Sequence, residues 1–268
     1  MNITILVNRD IASCLALNYL VPALSAHHLT VFYSARVGSK PLPEPLQRLK
    51  FFEQDFFNNF VFPLQLELAN PDAAELFGFD LLFRKLDGRC TELNDINGDA
   101  GLQRFRASNP DLVLSIRYGV ILKDDAIAVP RYGVLNLHSG LLPAYQGVMA
   151  SFWALMNGES ALGTTLHRIT DSTIDTGPVI ASTRLNVQTD KSYLWHVLSL
   201  YEAGCAAMVD SALKLAHGES LKTSPQTGES TYYSFPQDQH IEKFLHNGCS
   251  FFDPVEVLEL AKRFCYSN

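Results

Sequence analysis

Leu112-Val113-Leu114-Ser115-Ile116 and Val134-Leu135-Asn136-Leu137 are two short apolar runs with a short helical pattern, Lys123–Val129, between them. Asn109-Pro110 punctuates the chain just before the first run. Runs of this length, bounded by turn residues, suit buried strands, and the segment before them, Asp99–Ser108, has helical spacing. Strand and helix alternate in the same way outward in both directions. Toward the amino terminus, Ile3–Val7 reads as a strand, Ile11–Leu24 as a helix and Leu29–Ser34 as a second strand. Toward the carboxyl terminus come a helix over Ala150–Asn157 stopped by Gly158 and two strands, Leu162–Ile169 and Val179–Leu185, around the loop Thr170–Pro178. A long helix over Tyr193–His217, stopped by Gly218, follows them. Alternation of this kind predicts an α/β fold: a mostly parallel sheet with helices on both faces.

Two regions depart from the alternation. Pro41, Pro43 and Pro45 open a turn-rich stretch, and nine of the 17 phenylalanines lie between Phe51 and Phe83. The aromatic-rich block at 41–89 is read as an insertion that either packs on the core or offers a stacking face to a flat ligand. The last 50 residues form a small helical tail, a polar stretch with Thr231-Tyr232-Tyr233 and then two short helices. The second of them is begun by Asp253 as N-cap and Pro254 at the first helical position. The expected organisation is a catalytic domain over 1–190 carrying the insertion, followed by the long helix and tail over 191–268.

Composition removes several classes. The 268-residue chain has 21 Lys and Arg against 28 Asp and Glu, a net charge of −7, with 47% hydrophobic and 18% charged residues. That balance suits a sizeable core and excludes disordered, collagen-like and coiled-coil readings. It also argues against a broad phosphate-binding surface. No apolar run approaches the roughly 18 residues of a membrane span, and the apolar start is interrupted by Asn8, Arg9 and Asp10. A cytoplasmic chain is expected. The five cysteines, Cys14, Cys90, Cys205, Cys249 and Cys265, are scattered without a Cys-x-x-Cys pair, so neither a disulfide framework nor a zinc ribbon is suggested.

Two places carry residues suited to chemistry. In Gly133–Pro143 a strand runs into an irregular loop, and Asn136 and His138, two apart, point to one side of an extended chain. An amide beside an imidazole suits acyl chemistry, the amide stabilising an oxyanion and the imidazole handling a proton. The same pair also fits a polar strand end that satisfies its own turn. Asp171–Pro178 contains Asp175, which either orients an imidazole or shapes an Asx-turn. Asp175-Thr176-Gly177 occurs once, where an aspartic protease needs two carboxylates. Leu137 stands where a nucleophile elbow around Ser139 needs glycine. No metal is expected, because the eight histidines are dispersed.

Taken together the blocks are more specific than either place alone. They are Pro110-Asp111, Tyr118-Gly119-Val120-Ile121-Leu122, Asn136-Leu137-His138, Leu141-Leu142-Pro143 with Gly147, Gly163-Thr164-Thr165-Leu166-His167, and Ile174–Ile180. From Asp111 to Ile180 the chain resembles the folate-dependent formyltransferases, which include glycinamide ribonucleotide and methionyl-tRNA formyltransferases. The resemblance implies a Rossmann-like formyltransferase fold and formyl transfer from N10-formyltetrahydrofolate to an amine, without a metal. It puts the family's catalytic Asn, His and Asp on Asn136, His138 and Asp175, with a protonated His138 in the transition state. Folate contacts, largely main-chain, are implied at Ile116, Arg117, Tyr118, Gly119, Val120, Ile121 and Leu122, and at Thr170, Asp171 and Ile174. Acceptor contacts are implied at Ser139, Tyr145, Gln146 and Gly147. The chain departs from the family at Ser139, at Gln146 and at Arg117, a long side chain where a small residue is usual. His167, on the strand that leads into the folate loop, is read as a packed structural histidine or, alternatively, as a site-lining residue.

The acceptor is approached by exclusion. The turn Val7–Ser13 contains no glycine, which disfavours a backbone phosphate cradle and hence glycinamide ribonucleotide. The acidic charge and the helical pattern after Val187, in place of a basic barrel, disfavour tRNA and nucleic acid generally. The expected partner is a small soluble amine, most simply a nucleotide-linked amino sugar. A hydroxylamine or amino-acid acceptor, or a non-catalytic folate- or sugar-binding module, are the alternatives. The long helix and tail either cover the sheet or make a homodimer interface, and no membrane partner is expected.

Overall fold

Alternation along the first strand sets the layers. β1 (Asn2–Asn8) sends Ile3, Ile5 and Val7 into one core and Leu6 into a second, as the two-residue period of a strand requires. The computed structural model describes residues 1–35 and 42–266; Pro41, the first residue of the expected insertion, lies outside them. α1 (Ile11–Ala23) starts at Asp10, whose carboxylate accepts the Ser13 N–H, and β2 (His28–Ser34) returns parallel to β1.

The aromatic block is helical. α2 (Glu44–Lys50) runs through two π-helical stretches, Phe51–Asp55 and Phe57–Val61, into α3 (Phe62–Leu66). α4 (Phe79–Lys85) and an edge strand not foreseen from the sequence, β3 (Cys90–Glu92), complete it. Phe57, Phe62 and Phe79 are fully or almost fully buried, and the last helix drives Phe264 to 5.2 Å from Phe62 and 5.9 Å from Phe57. Packing on the core therefore accounts for most of the block. Phe51 and Phe60 remain exposed.

Next come α5 (Asp99–Ala107), β4 (Leu112–Ile116), α6 (Asp124–Ile127) and β5 (Val134–His138). After them lie β6 (Gln146–Gly147), α7 (Ala150–Met156), β7 (Ala161–Ile169) and β8 (Val179–Asn186). The seven-stranded sheet has the order β3-β2-β1-β4-β5-β7-β8. The first five are parallel, and β7 and β8 are antiparallel additions. The loop Thr170–Pro178 is too short for a parallel crossover, so β7 and β8 form a hairpin. Strand order reverses between β1 and β4, and the crevice at the carboxyl ends of β1, β4 and β5 is the usual ligand position in such sheets.

The expected single helix Tyr193–His217 is broken at Leu200 into α8 (Tyr193–Ser199) and α9 (Tyr201–Ala216). α9 lies directly on the sheet at Gly204, where an added Cβ would meet Leu137 Cδ2 and Thr164 Oγ1 at 3.0 Å. A larger residue there would lift the helix off β5 and β7. The tail holds β9 (Tyr232–Tyr233), which pairs with β6, and then α10 (Asp238–His246) and α11 (Pro254–Cys265). Asp253 caps α11 through the Val255 and Glu256 N–H groups. No helix among the described residues is long and apolar enough to cross a membrane.

Candidate active site

Asn136 and His138 stand at the carboxyl end of β5, and both line a cavity of about 1420 Å³. β7 lies antiparallel to β5 in a register that puts His167 opposite Asn136. His167 Nδ1 donates to the Arg168 carbonyl at 3.1 Å, which leaves Nε2 to accept the Asn136 amide at 3.1 Å. One amide N–H of Asn136 is thereby held and the other is left for a ligand. His138 Nε2 donates to the Tyr145 carbonyl at 2.7 Å, and its Nδ1 faces Asp175 Oδ2 at 3.3 Å.

Asp175 is held from three sides. Its Oδ2 accepts the Gly147 N–H at 2.9 Å and its Oδ1 lies 3.5 Å from His167 Nε2. The Gln226 side chain donates to the Asp175 and Gly177 carbonyls at 2.7 and 2.8 Å. Gly147 has φ +90, and a Cβ there would strike the Tyr233 carbonyl at 2.2 Å, so only glycine admits both this bond and the β6–β9 pairing. Burial would raise the Asp175 pKa, but the His138 ring and the Gly147 N–H work against it, and the carboxyl is held below its ordinary value. Burial draws His138 below its ordinary pKa, against the pull of Asp175 and the Tyr145 carbonyl. Burial thus favours the neutral ring, while the two oxygens that face its nitrogens favour the cation. An imidazolium formed during a reaction finds two acceptors in place. Asp175, Arg117 and Met149 all have φ between +55 and +57 and all line the cavity; such strain in non-glycine residues gathers at functional sites.

A second set of charges stands on the cavity wall. Arg117 Nε donates to Asp10 Oδ2 at 2.8 Å, and its Nη2 is 3.7 Å from Glu53 Oε1. Asp10 thus fills the start of α1 with a carboxylate. Burial pushes the Glu53 carboxyl up to about 7; Arg117 opposes this and Asp10 adds to it. The sign for stability follows from linkage. A carboxyl whose folded pKa is raised from 4.5 to about 7 favours the fold below 4.5, and that contribution is lost as pH rises through 7. Glu53→Gln is expected to raise the melting temperature at pH 8 and to change it little at pH 5, as read by thermal denaturation at the two pH values.

Residues 92–203 match the family model described as formyl transferase. The chain carries a formyl transferase domain. The resemblance drawn from Asp111–Ile180 lies wholly inside it. Methionyl-tRNA formyltransferase of Deinococcus radiodurans is 32% identical over 173 residues, 62% of this chain and 53% of that protein. The chain spans about half the length of the curated relatives it matches. In fold it is similar to a sugar N-formyltransferase from a Shewanella species, with TM-score 0.55 at 14% identity over 86% of this chain and 76% of the other. A phosphoribosylglycinamide formyltransferase from Anaplasma phagocytophilum gives TM-score 0.56 at 15% identity, over 86% and 95%. Identities this low establish a shared architecture.

Within the formyl transferase domain the expected contact residues separate. Arg117, Tyr118, Gly119, Ser139 and Gly147 line the cavity with Asn136, His138 and Asp175. Ile116 and Leu122 are buried in the two cores, Val120 packs on the second, and Ile121 is exposed. Thr170 and Asp171 are exposed, Asp171 closing an Asx-turn to the Thr173 N–H, and Ile174 is half-buried. Tyr145 is buried, stacked on Tyr233, with its hydroxyl on Glu159, and buried Gln146 reaches the Asp175 carbonyl. Among the described residues, the Tyr118–Leu122 backbone engages only its Gly119 N–H, with Ser34 Oγ, and its Ile121 carbonyl, with Asn97. A main chain with most of its polar groups free suits the edge of a flat heterocycle.

Arg117 turns into the Asp10–Glu53 pair, which settles where its long side chain goes. His167 belongs to the centre as well as to the packing. The sequence left both roles open, because only the β5–β7 register brings it to Asn136. Glu53 was hidden among the phenylalanines, and Gln226 in a polar stretch without pattern.

Proposed function

We propose that the formyl transferase domain moves a formyl group from N10-formyltetrahydrofolate to the amine of a small soluble acceptor. The observation that carries this reading is the convergence of Asn136, His138 and Asp175 on one cavity at the switch point of the sheet. The bound folate supplies an activated formyl carbon. The free Asn136 N–H and the His138 ring then stabilise the oxygen that gains charge as the amine adds. His138 exchanges its bond to the Tyr145 carbonyl for that oxygen. His138 takes up the proton that the attacking amine gives up, and Asp175 balances the charge of the ring. When the bond between the formyl carbon and N10 breaks, that proton goes to N10 of the departing tetrahydrofolate and the ring is neutral again.

For the acceptor, a nucleotide-linked amino sugar is supported by the size of the cavity and by two half-exposed rings on its wall, Phe51 and Phe235. An amino-acid or hydroxylamine acceptor is the second reading. It is favoured by the charge of the wall, where the acids Asp10, Glu53, Asp55, Asp175 and Asp238 face only two cations, Lys50 and Arg117, among the described residues. Calorimetric titration with a stable N10-formyltetrahydrofolate analogue, then with nucleotide-linked amino sugars, N-hydroxy amino acids and methionyl-tRNA, tests both levels. Binding of the analogue and of one small-acceptor class is expected. A folded sample that ignores the analogue overturns the donor, and one that binds only methionyl-tRNA overturns the acceptor.

A further inference from the structure

Asp10, Arg117 and Glu53 have no part in the transfer chemistry derived above, yet they line the same cavity as the residues that do. Asp10 is fully engaged. One oxygen accepts the Ser13 N–H at 2.8 Å, and the other accepts Asn8 Nδ2 at 3.0 Å and Arg117 Nε at 2.8 Å. Glu53 is not. Its side chain is 14% exposed, it accepts no hydrogen bond from any described residue, and its nearest cationic atom is Arg117 Nη2 at 3.7 Å. Carboxylates this enclosed are normally supplied with donors. Here the fold supplies none, and the charged form works against folding, so the group stays at a cost that packing does not explain. It also sits in the first π-helical stretch, a geometry that recurs at functional sites.

We infer that Glu53 reads the acceptor: its carboxylate takes a hydrogen bond from a second donor group on that molecule, an ammonium or a hydroxyl, apart from the amine that is formylated. This rests on the formyl-transfer reading for its context. The rest of the wall agrees with such a ligand. Asp10 occupies the start of α1, where backbone amides would otherwise hold a phosphate, and acidic side chains outnumber basic ones around the cavity. A donor-bearing or cationic group is attracted to this corner of the wall, and the phosphates of a nucleotide-linked acceptor would lie away from it.

The test uses three acceptors built on the same four-carbon chain: 1,4-diaminobutane, 4-aminobutan-1-ol and butylamine. The whole chain and its Glu53→Gln variant are compared by steady-state formylation and by calorimetric binding. The wild-type chain is expected to use the diamine or the amino alcohol at least about tenfold more efficiently than butylamine, a difference of about 1.4 kcal/mol in transition-state binding. Whichever of the two is preferred identifies the group as ammonium or hydroxyl. Glu53→Gln is expected to erase the preference by raising KM, with kcat within about threefold and binding of the folate analogue unchanged. Equal use of all three by the wild-type chain, or an unaltered KM in the variant, overturns the inference. If no amine is formylated, binding decides. A diamine or amino alcohol bound by the wild-type chain and lost in Glu53→Gln sustains the role of Glu53 while the transfer reading fails. Absence of that difference overturns Glu53 itself.

Discussion

His138→Ala is expected to bind the folate analogue as the unaltered chain does while turnover falls roughly 10³–10⁴-fold, the combined scale of losing a proton-handling group and an oxyanion donor. The reasoning is local. His138 is buried at 8% exposure, and its two nitrogens contact only the Tyr145 carbonyl and Asp175. Removing the ring leaves the main chain of Tyr118–Leu122 and the Asn136–His167 bond untouched, so the donor side of the cavity survives. Asp175 keeps the Gly147 N–H and its anchor through Gln226. Rapid-mixing assays of a single turnover separate the chemical step from release. A variant that turns over within tenfold of the original removes His138 from the mechanism, and a non-catalytic binding module would show no turnover in either form.

Asp175→Asn is expected to lower turnover about 10²–10³-fold while the loop keeps its shape, because an amide oxygen still accepts the Gly147 N–H. What changes is charge. The Asp175 carboxylate raises the His138 pKa against the effect of burial, so without it the ring titrates lower still. Nuclear magnetic resonance titration of the His138 ring is expected to show that downward move. An unmoved titration with full activity would leave Asp175 as a loop-shaping residue alone. Asp175 is itself held below 3.8. Its stabilising interactions are complete above that pH and are lost as pH falls through the lower folded value. Asp175→Asn therefore differs from the original in stability at pH 7 more than in strong acid, as denaturant titration at the two pH values would read.

The sheet was legible because its strands are short apolar runs with turn residues between them. β1, β2, β4, β5, β7 and β8 all fall within about two residues of the runs that announced them. Direction was legible only in part: the short loop Thr170–Pro178 already requires a β7–β8 hairpin, but nothing in the apolar pattern tells that β7 runs against β5. β3, β6 and β9 were invisible for a different reason. They are two or three residues long and exist through their partners rather than through periodicity. The Tyr193–His217 pattern runs across Leu200 because both halves bury the same kinds of residue, and Leu200 keeps a right-handed helical backbone with only its N–H turned to the Val197 carbonyl. At the site, Asn136 and His138 are two apart on one strand and were readable as a pair, while His167 needed the register and Gln226 needed the path of the tail. Arg117 was visible as an anomaly, but its answer lay 107 residues away in Asp10.

Gln226 and β9 bear on how portable this centre is. The matched stretch 92–203 holds Asn136, His138 and Asp175, but not what fastens the loops around them. Ser224 bridges Val179, Gln226 secures the turn at Asp175, and Thr231 to Tyr233 lace onto Gln146–Val148, whose middle amide holds the same carboxylate. A chimera that grafts the matched stretch onto a foreign carboxyl-terminal segment would inherit every reacting side chain and lose their alignment. Exchange of acceptor specificity by swapping tails is thus coupled to the rate of the chemical step, and the edge of the matched stretch is no seam for recombination, because Phe235 and Asp238 also line the cavity and Phe264 packs on Phe57 and Phe62.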